Sequence, residues 1–249
     1  MRVHALTCGW LTSARGMFLE GTDGHLRVPV PSFLIEHPRG LALFDTGMHP
    51  AARTHPDVRL GRAAPFFTVE MADDDALTSR LAALGVDPAR VQWLVNSHLH
   101  FDHAGGNALV PNARLVVQRR EWDAAHDDDV AAANGINALD WDLGHDVQTV
   151  DGEHDLFGDG RVVCLPTHGH TPGHQSLRLR LDDGGDVVLT SDACYLRETL
   201  EQLHLPPIVH DRDQMLASLL ALRRLRDAGA RLVFGHDPDA WATMPALLT

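Results

Sequence analysis

Side chains that bind metal ions are concentrated in one short stretch near the middle of the chain, Ser97–His103. Here the ligand-type groups are His98, His100, Asp102 and His103, four within six residues. Residues two positions apart in an extended segment point to the same side, so His98 and His100 point the same way. Asp102 and His103 follow on the next turn. Four such groups crowded into six residues are too many, at this spacing, for one closed structural site, and they suit two adjacent metal ions.

The context of this stretch favours metal chemistry over an ordinary polar loop. The apolar run 91–95 directly precedes it and predicts a buried strand. Gly105-Gly106 then lets the backbone pass close by without side chains. A motif of this kind carries weight only in a strand-then-loop context, which is present here. Three later segments repeat the arrangement, each after a predicted strand: Thr167–His174, Ser191–Tyr195 and Gly235–Asp237.

Together these segments resemble the metal-binding signature of the metallo-β-lactamase superfamily. Their order and spacing are most similar to those of its small N-acyl homoserine lactone hydrolases, and the similarity extends from Asp45-Thr46-Gly47 to His236. In the second ligand loop of the family, the ligand precedes Thr-Pro-Gly-His, which here assigns His170. The resemblance implies seven ligands, three for each ion and one bridge: His98, His100 and His170; Asp102, His103 and His236; and the bridging Asp192.

This ligand set implies two divalent metal ions per chain. Imidazole and carboxylate groups without a thiolate suit zinc and leave iron, cobalt and manganese open. The flavin-linked diiron branch of the superfamily carries a glutamate where His100 stands, which disfavours redox use. Class B β-lactamases often offer a cysteine where Asp192 stands. Cys194 is two residues away, and we expect it to be a small buried apolar group.

The resemblance implies hydrolysis of the lactone ring of N-acyl homoserine lactones by a hydroxide that bridges the two metals. Asp102 is expected to pass the proton of the nucleophile to the leaving oxygen. Tyr195, the only tyrosine, is expected to donate a hydrogen bond to the carbonyl oxygen as it becomes an oxyanion; a half-buried tyrosine satisfied by the backbone is the alternative. Asp45 is expected to hold the ligands in orientation, and His174 and His168 to stabilise their own loop.

Other functions compete with lactone hydrolysis. A glutathione thioesterase would need a basic cluster near the C-terminus, and no Lys or Arg follows Arg231. Hydrolysis of organophosphate triesters is open as a side activity of the same site. A non-catalytic metal-binding module is disfavoured by the complete ligand set. The net charge of −13 repels phosphate backbones and disfavours a nucleic-acid partner.

At 249 residues the chain fits one large domain or two small ones, and 44% of its residues are hydrophobic, enough for a sizeable core. No linker separates the two halves, so we expect one domain over residues 1–249, and the resemblance implies a metallo-β-lactamase-like hydrolase domain. Three cysteines, Cys8, Cys164 and Cys194, cannot all pair and predict free thiols in a reducing compartment. We recognise no signal peptide after Met1 and no apolar run of membrane-spanning length. We therefore expect a cytoplasmic protein, monomeric or homodimeric, with a small lactone as its partner and no membrane contact.

Hydrophobic periodicity predicts the elements that position these residues. We expect strands at 28–35, 41–44, 91–95, 114–118, 161–165, 176–181, 186–190 and 231–234, and helices after Asp73-Asp74-Asp75, through 121–125 and from Asp211 to Gly229. This pattern alone predicts a layered α/β fold, and the family resemblance implies an αββα four-layer sandwich.

Two segments carry no clear period. For residues 50–72 we predict a long irregular segment. Its Phe66 and Phe67 either form an apolar wall for a substrate or pack in the core. The acidic, alanine-rich residues 126–145 predict a mobile helix-loop region.

Overall fold

Two β-sheets face each other in the computed structural model, which describes residues 1–249. The strands are β1 (Arg2–Ala14), β2 (His25–His37), β3 (Gly40–Phe44), β4 (Thr68–Glu70), β5 (Trp93–Val95), β6 (Arg114–Gln118), β7 (Val147–Val150), β8 (His154–Asp155), β9 (Val162–Pro166), β10 (Gln175–Arg180), β11 (Asp186–Ser191), β12 (Arg231–Phe234) and β13 (Leu247–Leu248). The larger sheet has the order β13-β1-β2-β3-β5-β6-β7, with β4 paired to β1, and the smaller has the order β12-β11-β10-β9-β8.

Eight helices surround the sheets. They are α1 (Pro56–Arg59), α2 (Leu77–Ala83), α3 (Arg119–Ala125), α4 (Asp128–Ala133), α5 (Ala138–Trp141), α6 (Arg197–Gln202), α7 (Arg212–Asp227) and α8 (Pro238–Ala242). None of them reaches the length and apolar character that a membrane crossing requires.

The main core lies between the two sheets. It joins buried side chains of the larger sheet, such as Ile35 and Phe44, to those of the smaller sheet, such as Leu177 and Leu189. Separate clusters attach helices to the outer faces, one around α2 on the larger sheet and one around α7 on the smaller sheet. The predicted four-layer αββα sandwich is therefore confirmed.

Local signals in the sequence placed the regular elements well. The side chain of Asp211 accepts a hydrogen bond from the backbone N–H of Gln214 and caps α7, which ends just before Gly229 with its positive φ of +103°. The alternating segment after Gln175 is a strand, and it forms a hairpin with β11.

Other elements differ from the predictions. Strand β1 was not predicted, and neither was α6; β2 begins at His25 rather than at residue 28, and β5 covers only Trp93–Val95. Residues 50–72 contain short helical turns and β4 rather than a structureless loop. Residues 126–145 form α4 and α5, and the mobility of that region stays a prediction.

Candidate metal centre

The seven predicted ligand side chains lie together where strands of both sheets end. His98, His100, Asp102 and His103 follow β5, and the other three follow β9, β11 and β12. Their donor atoms form two groups, and within each group all donors lie within 4.8 Å of one another. The groups consist of His98, His100, His170 and Asp192, and of Asp102, His103 and His236. We call them the first and the second ligand group.

Asp192 lies between the two groups, and each of its oxygens faces one of them. Its Oδ2 is 3.3 Å from Nε2 of His170 and 3.7 Å from Nε2 of His98. Its Oδ1 is 3.1 Å from Nε2 of His236 and 3.2 Å from Nε2 of His103. The carboxylate therefore has the position that a bridging ligand requires.

The hydrogen bonding of these side chains fits a pair of divalent ions. Nε2 of His98, Nε2 of His103 and Oδ1 of Asp192 are buried and have no hydrogen-bond partner. Buried polar atoms without partners are costly and rare, and a bound cation satisfies them.

The second nitrogen of every histidine is held by a partner, as is typical of metal-binding imidazoles. The pairs are His98 Nδ1 with Ser97 Oγ at 2.9 Å, His100 Nε2 with Asn134 O at 2.6 Å, His103 Nδ1 with Asp45 Oδ2 at 2.9 Å, His170 Nδ1 with Tyr195 Oη at 3.3 Å and His236 Nδ1 with Pro29 O at 2.8 Å.

The electrostatics of the cluster agree with this arrangement. Burial would raise the pKa of Asp192, but His103 and His236 beside it hold the pKa well below its ordinary value. Burial and the neighbouring His103 lower the pKa of His98 well below its ordinary value. Both are in the form that binds metal ions, an ionised carboxylate and a neutral imidazole. Burial would lower the pKa of His103 and His236, but Asp192 and Asp102 outweigh it and raise both, so these two imidazoles must release a proton when a metal ion binds.

Comparisons with known proteins decide the family. A family model described as the metallo-beta-lactamase superfamily matches residues 26–236. The chain belongs to the metallo-β-lactamase superfamily. The resemblance predicted from the ligand motifs is thus confirmed, as is its branch, because similar proteins are N-acyl homoserine lactonases.

Two curated relatives and one solved structure illustrate the similarity. N-acyl homoserine lactonase AttM of Azorhizobium caulinodans is 37% identical over 89% of this chain and 87% of its own length. N-acyl homoserine lactonase AiiA of Bacillus thuringiensis subsp. kurstaki is 32% identical over 85% and 82%. A structure of an N-acyl homoserine lactone hydrolase, with the product N-hexanoyl-L-homoserine at its catalytic metal centre, superposes with a TM-score of 0.87 at 28% identity and covers 98% of this chain and 96% of that one.

Asp45 occupies the supporting position that the superfamily resemblance implied. It has a positive φ of +59° and lies directly after β3. Its carboxylate accepts hydrogen bonds from the backbone N–H of Ser97 at 2.7 Å and from the Ser97 hydroxyl at 2.8 Å, in addition to the contact with His103. It therefore fixes the start of the metal loop and one imidazole of the second ligand group together.

Tyr195 lies against the ligands, not against the backbone. Its ring packs edge-on to Phe18 at 5.7 Å and to His170 at 5.6 Å between ring centroids. Burial, with Asp192 nearby, raises the pKa of the phenol well above its ordinary value, so the hydroxyl keeps its proton. When Nδ1–H of His170 donates to the hydroxyl oxygen, that proton is free for another acceptor.

The two phenylalanines of residues 50–72 have different surroundings. Phe67 is half-buried and packs near Phe18 and Phe101, in the cluster that also contains Tyr195. The side chain of Phe66 is 53% exposed. Only Phe67 is placed to form the apolar wall that the sequence suggested.

His168 and His174 stabilise their loop by hydrogen bonds, as expected. His168 Nδ1 is 3.1 Å from the carbonyl oxygen of His174, and His174 Nδ1 is 3.1 Å from that of Thr167. Cys194 is buried, as predicted, and its Sγ lies 3.3 Å from Leu196 O.

Sequence reasoning missed the groups that hold the first ligand group from outside. The carbonyl oxygen of Asn134 accepts a hydrogen bond from His100, and its side-chain Oδ1 is 3.1 Å from Nδ1 of His210. The backbone N–H of His210 in turn donates to the carbonyl oxygen of His170 at 3.0 Å. The sequence offered only the Asn134-Gly135 pair, which is typical of a turn and does not indicate a contact with His100. Glu121 was also missed; it appeared as one residue of a predicted helix.

Proposed function

We propose that residues 1–249 form one hydrolase domain that opens the lactone ring of N-acyl homoserine lactones in a metal-dependent reaction. The observation that carries the proposal is the joining of the two ligand groups through Asp192, with the hydroxyl of Tyr195 at their edge. The same chain is 37% identical to a named N-acyl homoserine lactonase.

The proposed ligands are the members of the first and second ligand groups, with Asp192 between them. Bound divalent ions supply a nucleophile from water at neutral pH and polarise the carbonyl oxygen of an ester. We propose zinc for both positions, because the donors are imidazoles and carboxylates without a thiolate. Three buried free cysteines support a reducing compartment, and we propose the cytoplasm.

The residues of the chain have separate tasks in this proposal. The Tyr195 hydroxyl donates a hydrogen bond to the lactone carbonyl oxygen, and the bond strengthens as that oxygen gains negative charge. Asp102 Oδ2, 3.6 Å from Nε2 of both His103 and His236, takes the proton of the attacking water and delivers it to the leaving ring oxygen. Phe67 and Phe101 exclude water beside the site and offer apolar surface to the acyl chain.

The test is turnover of short- and long-chain N-acyl homoserine lactones by metal-replete protein, with the products identified by mass spectrometry. We expect a ring-opened acyl homoserine that has gained one water and keeps its amide bond. Free fatty acid together with homoserine lactone would identify an acylase and contradict the proposal.

The same assay should include glutathione thioesters and organophosphate triesters, which the same kind of site can hydrolyse. We expect them to be poorer substrates than the lactones. If the protein hydrolyses a thioester faster than every lactone, it is a thioesterase and the lactonase proposal is wrong. Metal analysis of the same preparation should approach two equivalents per chain; one equivalent that added zinc does not raise would contradict the two-ion centre.

A further inference from the structure

A buried carboxylate without a basic partner lies behind the first ligand group. Glu121 is in the first turn of α3, its side chain is fully buried, and it forms no ion pair. One oxygen, Oε1, accepts from the backbone N–H of Leu99 at 3.1 Å. The other, Oε2, accepts from the Thr171 hydroxyl and from the backbone N–H of Gly173, both at 2.8 Å. All the partners of this charge therefore belong to loops that carry ligands.

The two loops held by Glu121 come from different sheets. Leu99 lies between His98 and His100, in the loop that follows β5 of the larger sheet. Thr171 and Gly173 follow His170, in the loop after β9 of the smaller sheet. The carboxylate thus connects three of the four members of the first ligand group across the gap between the sheets.

The loop after β9 passes so close to α3 that only glycine fits at position 173. A Cβ atom added to Gly173 would lie 2.2 Å from the backbone nitrogen of Glu121. The backbone of this loop therefore packs directly against the first turn of α3, where the Glu121 carboxylate accepts its hydrogen bonds. Three hydrogen bonds that converge on one buried side chain restrain both loops.

Glu121 touches nothing in the second ligand group. That group is held by Asp45, which contacts Ser97 and His103. Asp45 also reaches His98 through the Ser97 hydroxyl, so of the two buried supporting carboxylates only Glu121 acts on the first ligand group alone.

We propose that Glu121 is a positioning residue that fixes the distance between the His98–His100 pair and His170, and so sets the affinity of the first ligand group for its divalent ion. The inference rests on the metal centre of the proposed function and is independent of the identity of the substrate. It makes the affinity at the first ion position adjustable through Glu121 without a direct effect on the second.

The decisive variant is Glu121→Gln, which keeps the shape of the side chain. Its amide group can accept on one side only, so an N–H must face a donor, either at Leu99 or at Thr171 and Gly173. Zinc affinity is measured by competition with a chelator, and occupancy by cadmium NMR, which gives one resonance for each bound ion. We expect one equivalent to bind roughly 10- to 100-fold more weakly, the range found for partners of metal-binding residues, and the other to change little.

Two further variants separate positioning from loss of stability. Leu81→Ala removes a buried side chain from the α2 cluster, away from both ligand loops, and should lower the melting temperature without changing either affinity. Asp45→Asn should weaken the ion whose resonance Glu121→Gln leaves unchanged, through His103, and to a smaller extent the other ion, through Ser97 and His98. Should Glu121→Gln fail to fold, Thr171→Val removes one donor of three and should weaken the same single ion by a smaller factor.

Three outcomes would overturn the inference. These are equal weakening of both ions by Glu121→Gln, no weakening beyond that of Leu81→Ala, and an Asp45→Asn variant that weakens only the ion that Glu121→Gln weakens. A wild-type protein that binds two ions and hydrolyses no lactone would instead contradict the proposed function, and the comparison of affinities would still decide the role of Glu121.

Discussion

The ligand loops and the two segments that flank them, residues 50–72 and 126–145, are built in different ways. The loops start at strand ends, their ligands are mostly buried, and each imidazole is held by a second partner. The flanking segments consist of short helical turns and expose large apolar side chains, including Val58, Phe66 and Leu139. The difference teaches that the ends of the sheet strands position the ligands, whereas the flanking segments pack against the ligand loops from outside.

The two regions are joined by apolar clusters, which pack Leu99 and Ala104 against Ile136 and Trp141 and Phe101 near Phe67, and by a few hydrogen bonds. Arg59 in α1 donates through Nη2 to the carbonyl oxygen of Gly105 at 3.2 Å, and Asn134 accepts from His100. Changes in the ligand loops should therefore alter metal content and the chemical step, and changes at flanking side chains that hold no ligand should alter substrate affinity or stability. Four predictions test this separation.

The largest effect is expected for Asp192→Asn, since Asp192 faces both ligand groups. The change should lower metal content and reduce turnover about 1,000-fold or more, because bound ions contribute several kcal/mol to the barrier reduction. Metal analysis and turnover are measured on the same preparation. Asp186→Asn, at the start of the strand that precedes Asp192 and in a surface ion pair with Arg180, is the control and should leave both unchanged. Full activity of Asp192→Asn would contradict this role of the strand ends.

Tyr195→Phe should have a smaller effect and leave the metals in place. The ring and its packing remain, and one hydrogen bond to the developing oxyanion is lost. Because a metal ion shares that duty, we expect a loss of about 1–2 kcal/mol, or roughly five- to thirtyfold in turnover.

Rate and metal content must be compared for this variant. Unchanged activity on every lactone would make Tyr195 structural, whereas loss of metal would show that it holds the Asp192 loop. Asp102→Asn is the reference and should weaken the second ligand group and the proton transfer together.

Phe67→Ala should act through substrate binding. Removing the ring takes apolar surface from the side of the site, and part of the roughly 1.5–3 kcal/mol for a buried aromatic would be lost. We expect KM for long-chain lactones to rise about three- to tenfold, with less change for short chains and for kcat. Phe66→Ala is the matched control, because its ring is largely exposed. A fall in kcat without a change in KM would place Phe67 in the chemical region instead.

The sequence predicted the ligand loops well because their signals are local. A strand, a histidine pair and a glycine turn are adjacent in the chain, and Asp45 follows its strand directly. The cap at Asp211 and the stop at Gly229 fixed α7 by the same kind of local rule.

Glu121 and Asn134 could not be found in that way. Each is an ordinary helix or turn residue by type, and each acts on loops that are distant in sequence, 22 residues to Leu99 and 34 to His100. The segments 50–72 and 126–145 have short elements without a repeating period, so hydrophobic patterns carry little information about them.

The smallest expected effect concerns the contact between the two flanking segments. Asp140 in α5 pairs with Arg59 in α1, and its side chain is fully buried. Burial outweighs the attraction of Arg59 and raises the pKa of Asp140 from its ordinary 3.8 to about 7. The folded state therefore holds a proton on Asp140 more tightly than the unfolded state. The resulting contribution to stability is complete below about pH 4 and is lost as the pH rises through about 7.

Asp140→Asn keeps the side chain neutral and removes this dependence. The free energy of unfolding of the wild type should therefore fall, relative to that of the variant, as the pH rises from about 5 to about 8. We expect a fall of more than about 1 kcal/mol, since one pKa unit corresponds to about 1.4 kcal/mol. Denaturant unfolding of metal-free protein measures it. Asp146→Asn, in an exposed pair with Arg114, should show no such trend. A flat difference for Asp140→Asn would mean that Asp140 is ionised in the fold, with the ion pair to Arg59 offsetting its burial and holding the two segments together at every pH tested.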